Sequence, residues 1–530
     1  MYQCPGCGGG LKFDIPSQKL KCDSCLSLVD PYSLDEQDSA SAVNDYYEAT
    51  IFSCPHCGGE MISTDNAAID FCSFCGASST LEGRITKEKR PNYIIPFKIT
   101  KDDCKKAFAK HVKRSFFIPS SLKNPSHIDS FRGIYMPYWA YHIEQQGSGS
   151  LTATKSYRRG NYRYTDTYAL SFSIDAYYKG LSYDSSASFY DSISEEIGPY
   201  NVKMMREFHP AVLSGFYADT SDVPSYVYED DAIYEANEMS FSALKKEPFT
   251  KGLSIASTSD AAINNMFHSR CKEIHSAMYP VWFMSYRKGN RIAYATVNGQ
   301  TGKIHTDLPI SPFKYILLSL GIAVPIFLLL NLLFTFTAPA TLSFASILTL
   351  ISSVIYGFEI VAIAKKDAMT LDQGVMDKRG NYTKCPKRKS RHKGPKAGSW
   401  VIGLVIVSFI VFSVFGEVVS ILSTALMSTS PLLMLFTLAG TIVSMIVSSV
   451  SAKKYKGKIF PVAFIFNIFA LVVCLGISII NPVSDIYYYV GIVLLIITTL
   501  IINLNIIAKY NILATRLLPQ FKYTGGDNDA

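Results

Sequence analysis

Residues 315–364 read YILLSLGIAVPIFLLLNLLFTFTAPATLSFASILTLISSVIYGFEIVAIA, 50 positions without a Lys or Arg. A helix crosses a hydrocarbon core of roughly 30 Å with about 20 residues. The block is too long for one crossing and right for two. Pro339 lies near its middle, and proline with a small polar neighbour such as Thr337 suits a tight turn. The block therefore reads as a helical hairpin. Residues 399–452 and 459–508, of 54 and 50 residues, repeat the pattern around Pro431 and Pro482, beside Ser430 and Asn481. Three hairpins within 310–510 predict six transmembrane helices, at 315–337, 341–364, 400–425, 432–450, 459–480 and 486–508. Helices pair every backbone group internally, as a bilayer demands.

The segments between the hairpins set the orientation. Loop 365–398 carries eleven Lys/Arg, loop 453–458 carries Lys453, Lys454, Lys456 and Lys458, and the tail 511–530 follows Lys509 with Arg516 and Lys522. The hairpin tips carry none. Positive charge stays in the cytoplasm, so both termini and residues 1–309 are expected there, on the inner membrane. The chain opens directly into a cysteine motif at Cys4, so no signal peptide is expected.

The whole chain has 530 residues, 48% hydrophobic and 18% charged, with a formal net charge of +8. Mean hydropathy is +0.16. This is too apolar for a disordered chain and argues against a soluble single-domain enzyme. Residues 1–309 have a net charge of −3 and residues 310–530 of +11. The basic balance therefore belongs to the membrane half and says nothing for nucleic acid in the rest.

Intramembrane carboxylates are the usual pointer to transport. Glu359 lies six residues before Lys365, near the cytoplasmic end, and Glu417 sits deeper. Each reads either as an ion or proton site or as a carboxylate paired with a neighbouring helix. Asn331, Asn467, Asn503 and Asn505 read as helix-to-helix hydrogen bonds.

Eight of the twelve cysteines lie in the first 75 residues. They read Cys4-Pro-Gly-Cys7, Cys22-Asp-Ser-Cys25, Cys54-Pro-His-Cys57 and Cys72-Ser-Phe-Cys75. Fourteen residues separate the pairs in each half, and the second set is the first shifted by 50. Gly8-Gly9 matches Gly58-Gly59. The spacing predicts two zinc ribbons, at 1–30 and 51–83, with 31–50 as a linker. Two thiolates three residues apart on a tight knuckle reach one ion, and 14 residues suffice for a hairpin that returns the second knuckle. Four thiolates close the tetrahedron, so each zinc is structural. Disulfides are the rival, against which the cytoplasmic placement argues; iron is the rival metal. His56 is expected to face solvent rather than ligate.

Residues 1–83 carry a net charge of −9. They would repel a phosphate backbone and an anionic leaflet alike. A cytoplasmic protein partner fits better. Loop 365–398, with net charge +8, is an internal candidate for attraction, or else a plain positive-inside stop signal.

Residues 84–309 are long enough for one or two cores and read as an α+β domain. Thr100-Lys-Asp-Asp103 is a helix start, followed by the stripe Cys104, Ala107, Phe108, Val112. Residues 162–174 alternate as a strand. Residues 259–276 read as a helix that places His268, Cys271 and His275 on one face, as a metal or catalytic pair or as an amphipathic face. Strands follow at 280–287, 291–298 and 303–308, the first two joined by a turn at Gly289-Asn290. Met136-Pro137-Tyr138-Trp139 is echoed by Tyr279-Pro280-Val281-Trp282, so a duplicated unit is plausible. No phosphate loop, dinucleotide fingerprint, nucleophile elbow or metalloprotease motif is present.

On these features the chain resembles a bacterial family of zinc-ribbon multipass membrane proteins. Their labels often borrow from the ribbons of general transcription factors or primosomal helicases. The matching residues are Cys4-Pro-Gly-Cys7-Gly-Gly, Gly133-Ile-Tyr-Met-Pro-Tyr-Trp139, Pro280-Val-Trp-Phe-Met-Ser-Tyr286 and Val297-Asn-Gly-Gln-Thr-Gly-Lys303, within roughly residues 1–310. The resemblance implies zinc at the eight cysteines and, for some members, recruitment beside phage-shock-type envelope-stress proteins; it brings no established enzymatic activity with it. The helicase label does not carry over, because no Walker A motif is present.

The expectation is a multidomain protein of two β zinc ribbons, a cytoplasmic α+β domain and an all-α six-helix membrane domain. Its expected role is a non-enzymatic scaffold. A transporter or channel with a regulatory ribbon domain, and a membrane-tethered nucleic-acid binder, are the alternatives.

Overall fold

A computed structural model describes residues 2–34, 46–63, 72–77, 82–114, 116–120, 130–255, 260–288, 291–333, 337–369, 430–453 and 462–517. The expected span 400–425, Glu417, most of loop 365–398, the turn Gly289-Asn290 and the far tail lie outside these residues.

The first cysteine set is carried by a small sheet of β1 (Leu11–Asp14), β2 (Lys19–Cys22) and β3 (Leu28–Val29). Leu11 pairs with Cys22 and Asp14 with Lys19, so β1 and β2 form the expected hairpin. The second set stands on β4 (Tyr46–Ser53) and β5 (Glu60–Ser63), with β6 (Glu82–Lys89) on the far side of β4. These strands join a thirteen-stranded sheet with β7 (Tyr93–Ile94), β8 (Arg132–Arg159), β9 (Tyr162–Asp184), β10 (Arg206–Glu207), β11 (Tyr217–Ala218), β12 (Ser254–Ile255), β13 (Arg270–Lys288), β14 (Arg291–Asn298), β15 (Ile304–Thr306) and β16 (Arg516–Leu517). The two cysteine sets thus differ in setting despite equal spacing.

Strand β13 explains the core. Met278, Trp282 and Met284 enter one apolar cluster, and Ala277, Tyr279, Val281 and Phe283 enter another. A strand apolar on both sides is buried on both. The first cluster also holds Leu11, Phe13 and Leu20 of the small sheet and Cys104, Phe108 and Val112 of α1 (Lys101–Arg114). Thr100 Oγ1 caps α1 by accepting from the Asp103 amide at 3.2 Å and donating to its carboxylate at 2.7 Å. The second cluster holds the second cysteine set and Ile193 and Ile197 of α2 (Asp191–Ile197). Two further helices, α3 (Glu229–Leu244) and α4 (Asp260–Phe267), cover β8 and β9. The two Trp phrases lie side by side: Tyr279 pairs with Met136 and Pro280 with Tyr135. Trp139 Nε1 donates to the Val223 carbonyl at 2.7 Å, and Trp282 Nε1 to that of Ile99 at 2.8 Å.

The helix expected at 259–276 stops at Phe267. His268 takes a left-handed φ of 47°, and residues from Arg270 on pair with β8. Pairing between distant strands overrides local helical spacing. At this junction Gly147 of β8 meets α4 so closely that a Cβ would lie 2.0 Å from the Met266 carbonyl oxygen. Gly147→Ala is expected to destabilise by at least about 1–3 kcal/mol, read as a lower melting temperature of purified protein. An unchanged melting temperature would contradict that crossing.

Beyond the sheet lie α5 (Pro312–Leu333), α6 (Ala338–Met369), α7 (Ser430–Lys453), α8 (Val462–Ile480) and α9 (Ile486–Leu513). These five helices are long and apolar enough to cross a membrane, and the chain is a multipass membrane protein. Leu317, Phe327, Phe358, Phe436, Phe469 and Ile480 point outward, as lipid-facing positions do. Pro339 and Pro431 sit in the first turns of α6 and α7 rather than in the connecting turns. A first-turn amide has no intrahelical acceptor, so proline fits there. The α8–α9 turn is made by Asn481 at a φ of 47°, followed by Pro482. Helix α6 approaches α7 at Gly357 and Gly440, where an added Cβ would meet Ser444 and Leu350 at 2.9 Å. Small residues permit such contact. Asn467 donates to Ser353, while Asn503 and Asn505 accept from Tyr315 and Tyr356.

The sheet and the helices are tied at both ends of the helical region. β16 pairs with β14, and the Arg291 guanidinium holds Thr515 Oγ1 at 2.7 Å and the Ile512 carbonyl at 2.6 Å. Ile310 and Asn511 exchange two hydrogen bonds of 2.7 and 2.8 Å, and Lys314 donates to the Ile118 carbonyl.

Candidate metal centres

All four cysteine knuckles share one backbone design. In each, the first cysteine's carbonyl accepts from the residue after the second cysteine: Gly8, Leu26, Gly58 and Gly76, at 2.8 to 3.1 Å. The first cysteine's amide then donates to the next residue's carbonyl, in Gly9, Ser27, Gly59 and Ala77. The turn forces the residue after the second cysteine into left-handed backbone, with φ of 73°, 61°, 73° and 67°. Three of the four are glycine, which bears this without strain. Nothing lies within 4 Å of a Cβ built on Gly8. Gly8→Ala is therefore a test of backbone strain alone, expected to cost about 1 kcal/mol, or about fivefold in metal affinity against a competing chelator. An unchanged affinity would show that the knuckle is not formed as described.

The knuckles bring four sulfurs together twice. Cys4 and Cys25 are 3.7 Å apart and Cys7 and Cys22 3.4 Å. In the second set Cys54 and Cys75 are 3.7 Å apart and Cys57 and Cys72 3.6 Å. A tetrahedron with Zn–S arms of about 2.3 Å has edges of about 3.8 Å. None of the eight is joined in a disulfide, and each set could hold one metal ion. Amides point at sulfur as well: Ser24 and Cys25 toward Cys22, and Gly59 toward Cys57, at 3.4 to 3.5 Å.

The surroundings differ. Cys7 and Cys25 are exposed, whereas Cys54, Cys57, Cys72 and Cys75 are all buried. The Ser27 hydroxyl, 3.0 Å from Cys25, leads the effects that hold that thiol down to about 6. The same hydroxyl lowers Cys4. In the buried set the neighbouring Cys57 thiol leads those that lower Cys54. The shifts are opposed within each set: Cys7 is pushed up to about 12, and the thiols beside them, led by Cys54, raise Cys57 and Cys72. Ser27 was not singled out by spacing, although a hydroxyl residue two places after the last cysteine is the signal that marks it. The second set is walled by Phe52, Phe74 and Phe283, and Tyr294 donates to the Phe74 carbonyl at 2.7 Å.

Other expected positions separate. His56 is exposed on its knuckle. Glu359 is half-buried in α6. Cys104 is buried in α1, and burial pushes its thiol up. His268, Cys271 and His275 do not share a helix face, since the last two lie in β13. Cys271 instead packs toward Tyr141 and Ile143.

No family model and no solved structure matches the chain. Among curated proteins it is similar to a bacterial relative. That relative is the uncharacterized protein YdjG of Bacillus subtilis strain 168, 28% identical over 335 residues. The matched stretch is 62% of this chain and 96% of YdjG.

Proposed function

We propose that this is a non-enzymatic scaffold of the inner membrane, with two structural zinc ribbons and a domain that recruits a cytoplasmic protein partner. Closed four-thiolate sets leave no ligand position for chemistry. Zinc is favoured over iron as the common occupant of such structural sets. The six-helix count rests on the length of the three cation-free blocks, and the cytoplasmic placement of both termini on the eighteen basic residues in two loops and the tail.

One observation carries the recruiter reading. The first ribbon turns its knuckle outward, with Leu26 and Leu28 65% and 50% exposed, while Phe13 and Gln18 fix its other side to the Ser214 and Phe97 carbonyls. It is a rigid apolar tip on a domain fastened to membrane helices. The segment's net charge of −9 selects against nucleic acid and favours protein.

The test is capture of the intact protein from native membranes, beside Leu26→Asp and a Cys4→Ser/Cys7→Ser form, with metal measured on each. A cytoplasmic protein retained by the wild type and lost from both variants supports the reading. A catch unchanged by either variant refutes it.

A further inference from the structure

Strands β8, β9 and β13 lie side by side, and two irregularities meet at His142. The β8–β13 register shifts between Cys271 and Glu273, and the β8–β9 register shifts between Tyr141 and Ile143. Bulges of this kind re-aim a side chain and recur beside functional sites. His142 faces Glu273 directly across the ladder, and His275 lies two residues further on the same side of β13.

The three side chains converge. His142 Nδ1 is 3.6 Å and His275 Nε2 is 3.3 Å from the same oxygen, Glu273 Oε2. The two imidazole rings are 5.0 Å apart between centroids, and the ligand atoms of all three residues lie within 4.8 Å of one another. His142 has 8% of its side chain exposed, His275 25% and Glu273 51%. The group is closed on the sheet side and open to solvent. Tyr177 Oη lies 3.1 Å from His142 Nδ1, and Tyr93 packs edge-on against His275.

We propose that His142, Glu273 and His275 form a third metal site, for a divalent transition ion that prefers nitrogen and oxygen donors. Ligand arms of about 2.1 Å give tetrahedral edges of about 3.4 Å, close to the two separations found. Two imidazoles and a carboxylate suit Zn²⁺, Co²⁺ or Ni²⁺. With three protein ligands, one position stays open to water or an external ligand. The site is therefore chemically distinct from both cysteine sets and exchanges its ion more readily. Its residues come from strands more than a hundred positions apart, so it exists only when the β8–β13 register is formed.

The test is a cobalt titration of full-length protein purified in detergent without a polyhistidine tag. Cobalt–thiolate charge-transfer absorption reports the cysteine sets, and total bound metal reports all sites. The wild type is expected to take three ions, two of them with the thiolate signal. His275→Ala and Glu273→Gln, at accessible positions, are each expected to lose one ion and keep the full thiolate signal. Loss of the thiolate signal with the third ion retained would instead count against the cysteine sets alone. A wild type that saturates at two ions, both with the thiolate signal, or variants that bind as many ions as the wild type, would overturn the site. Glu273 would then be only a carboxylate hydrogen-bonded between two histidines.

Discussion

Cys72→Ser is expected to remove the folded protein from the membrane fraction, whereas Cys7→Ser leaves it there with one metal ion fewer. The two positions are equivalent in spacing and opposite in burial: Cys72 is fully buried and Cys7 exposed. Around Cys72, the second set shares one apolar cluster with Phe74, Tyr279 and Phe283. Losing one thiolate there would leave three sulfurs in an apolar core with an incomplete set for any ion they could hold. A structural tetracysteine site contributes an apparent ~10–16 kcal/mol, as large as the roughly 5–15 kcal/mol stability of a whole domain. Around Cys7, the same loss first frees a three-stranded sheet whose outer side already faces water. Leu11, Phe13 and Leu20 still pack on the domain, so a drop of some degrees in melting temperature is expected, not collapse. Immunoblots of membrane fractions, metal per chain and melting temperature decide the matter. Equal effects of the two substitutions would mean that burial does not distinguish the sets.

That contrast was not legible in the sequence. Spacing and glycine placement disclose both cysteine sets, because ligand geometry is local. The membrane helices are legible for a similar reason: sustained apolar composition over a spanning length is a local property of the chain. Burial of the second set depends on β4 pairing with β6 and on Phe283 and Tyr294, over two hundred residues away. No local signal carries that. The region 259–276 was misread because His268, Cys271 and His275 happen to fit helical spacing. The period-two series Glu273, His275, Ala277, Tyr279 was also present. It was masked because the intervening Ile274 and Met278 are apolar too, as expected of a strand buried on both sides. His142 is invisible from sequence, since only the register of β8 against β13 brings it to Glu273.

A second large effect concerns Asp219, which sits just beyond β11 and is 2% exposed. Its Oδ2 accepts from Ser186 and Ser188 at 2.5 Å and its Oδ1 from the Thr220 amide at 2.9 Å. Burial dominates these bonds and lifts the carboxyl from 3.8 to about 7, with Asp222 adding to the rise. The folded state therefore holds a proton that the unfolded state releases. Stability is greatest below the unfolded value near 4, falls as pH rises to about 7, and is flat above. Between about pH 5.5 and about pH 7.5 this one group is expected to remove about 2 kcal/mol. Asp219→Asn keeps the shape, accepts from Thr220 and donates to a serine, but carries no charge at any pH. Unfolding of wild type and variant in detergent at both pH values isolates the effect of Asp219 and its coupling to Asp222, because titrating groups not coupled to Asp219 cancel between them. The variant's advantage is expected to grow by about 2 kcal/mol from the lower to the higher pH. A difference that stays constant would mean that the serines and the amide hold Asp219 ionised throughout, and that burial does not win at this site.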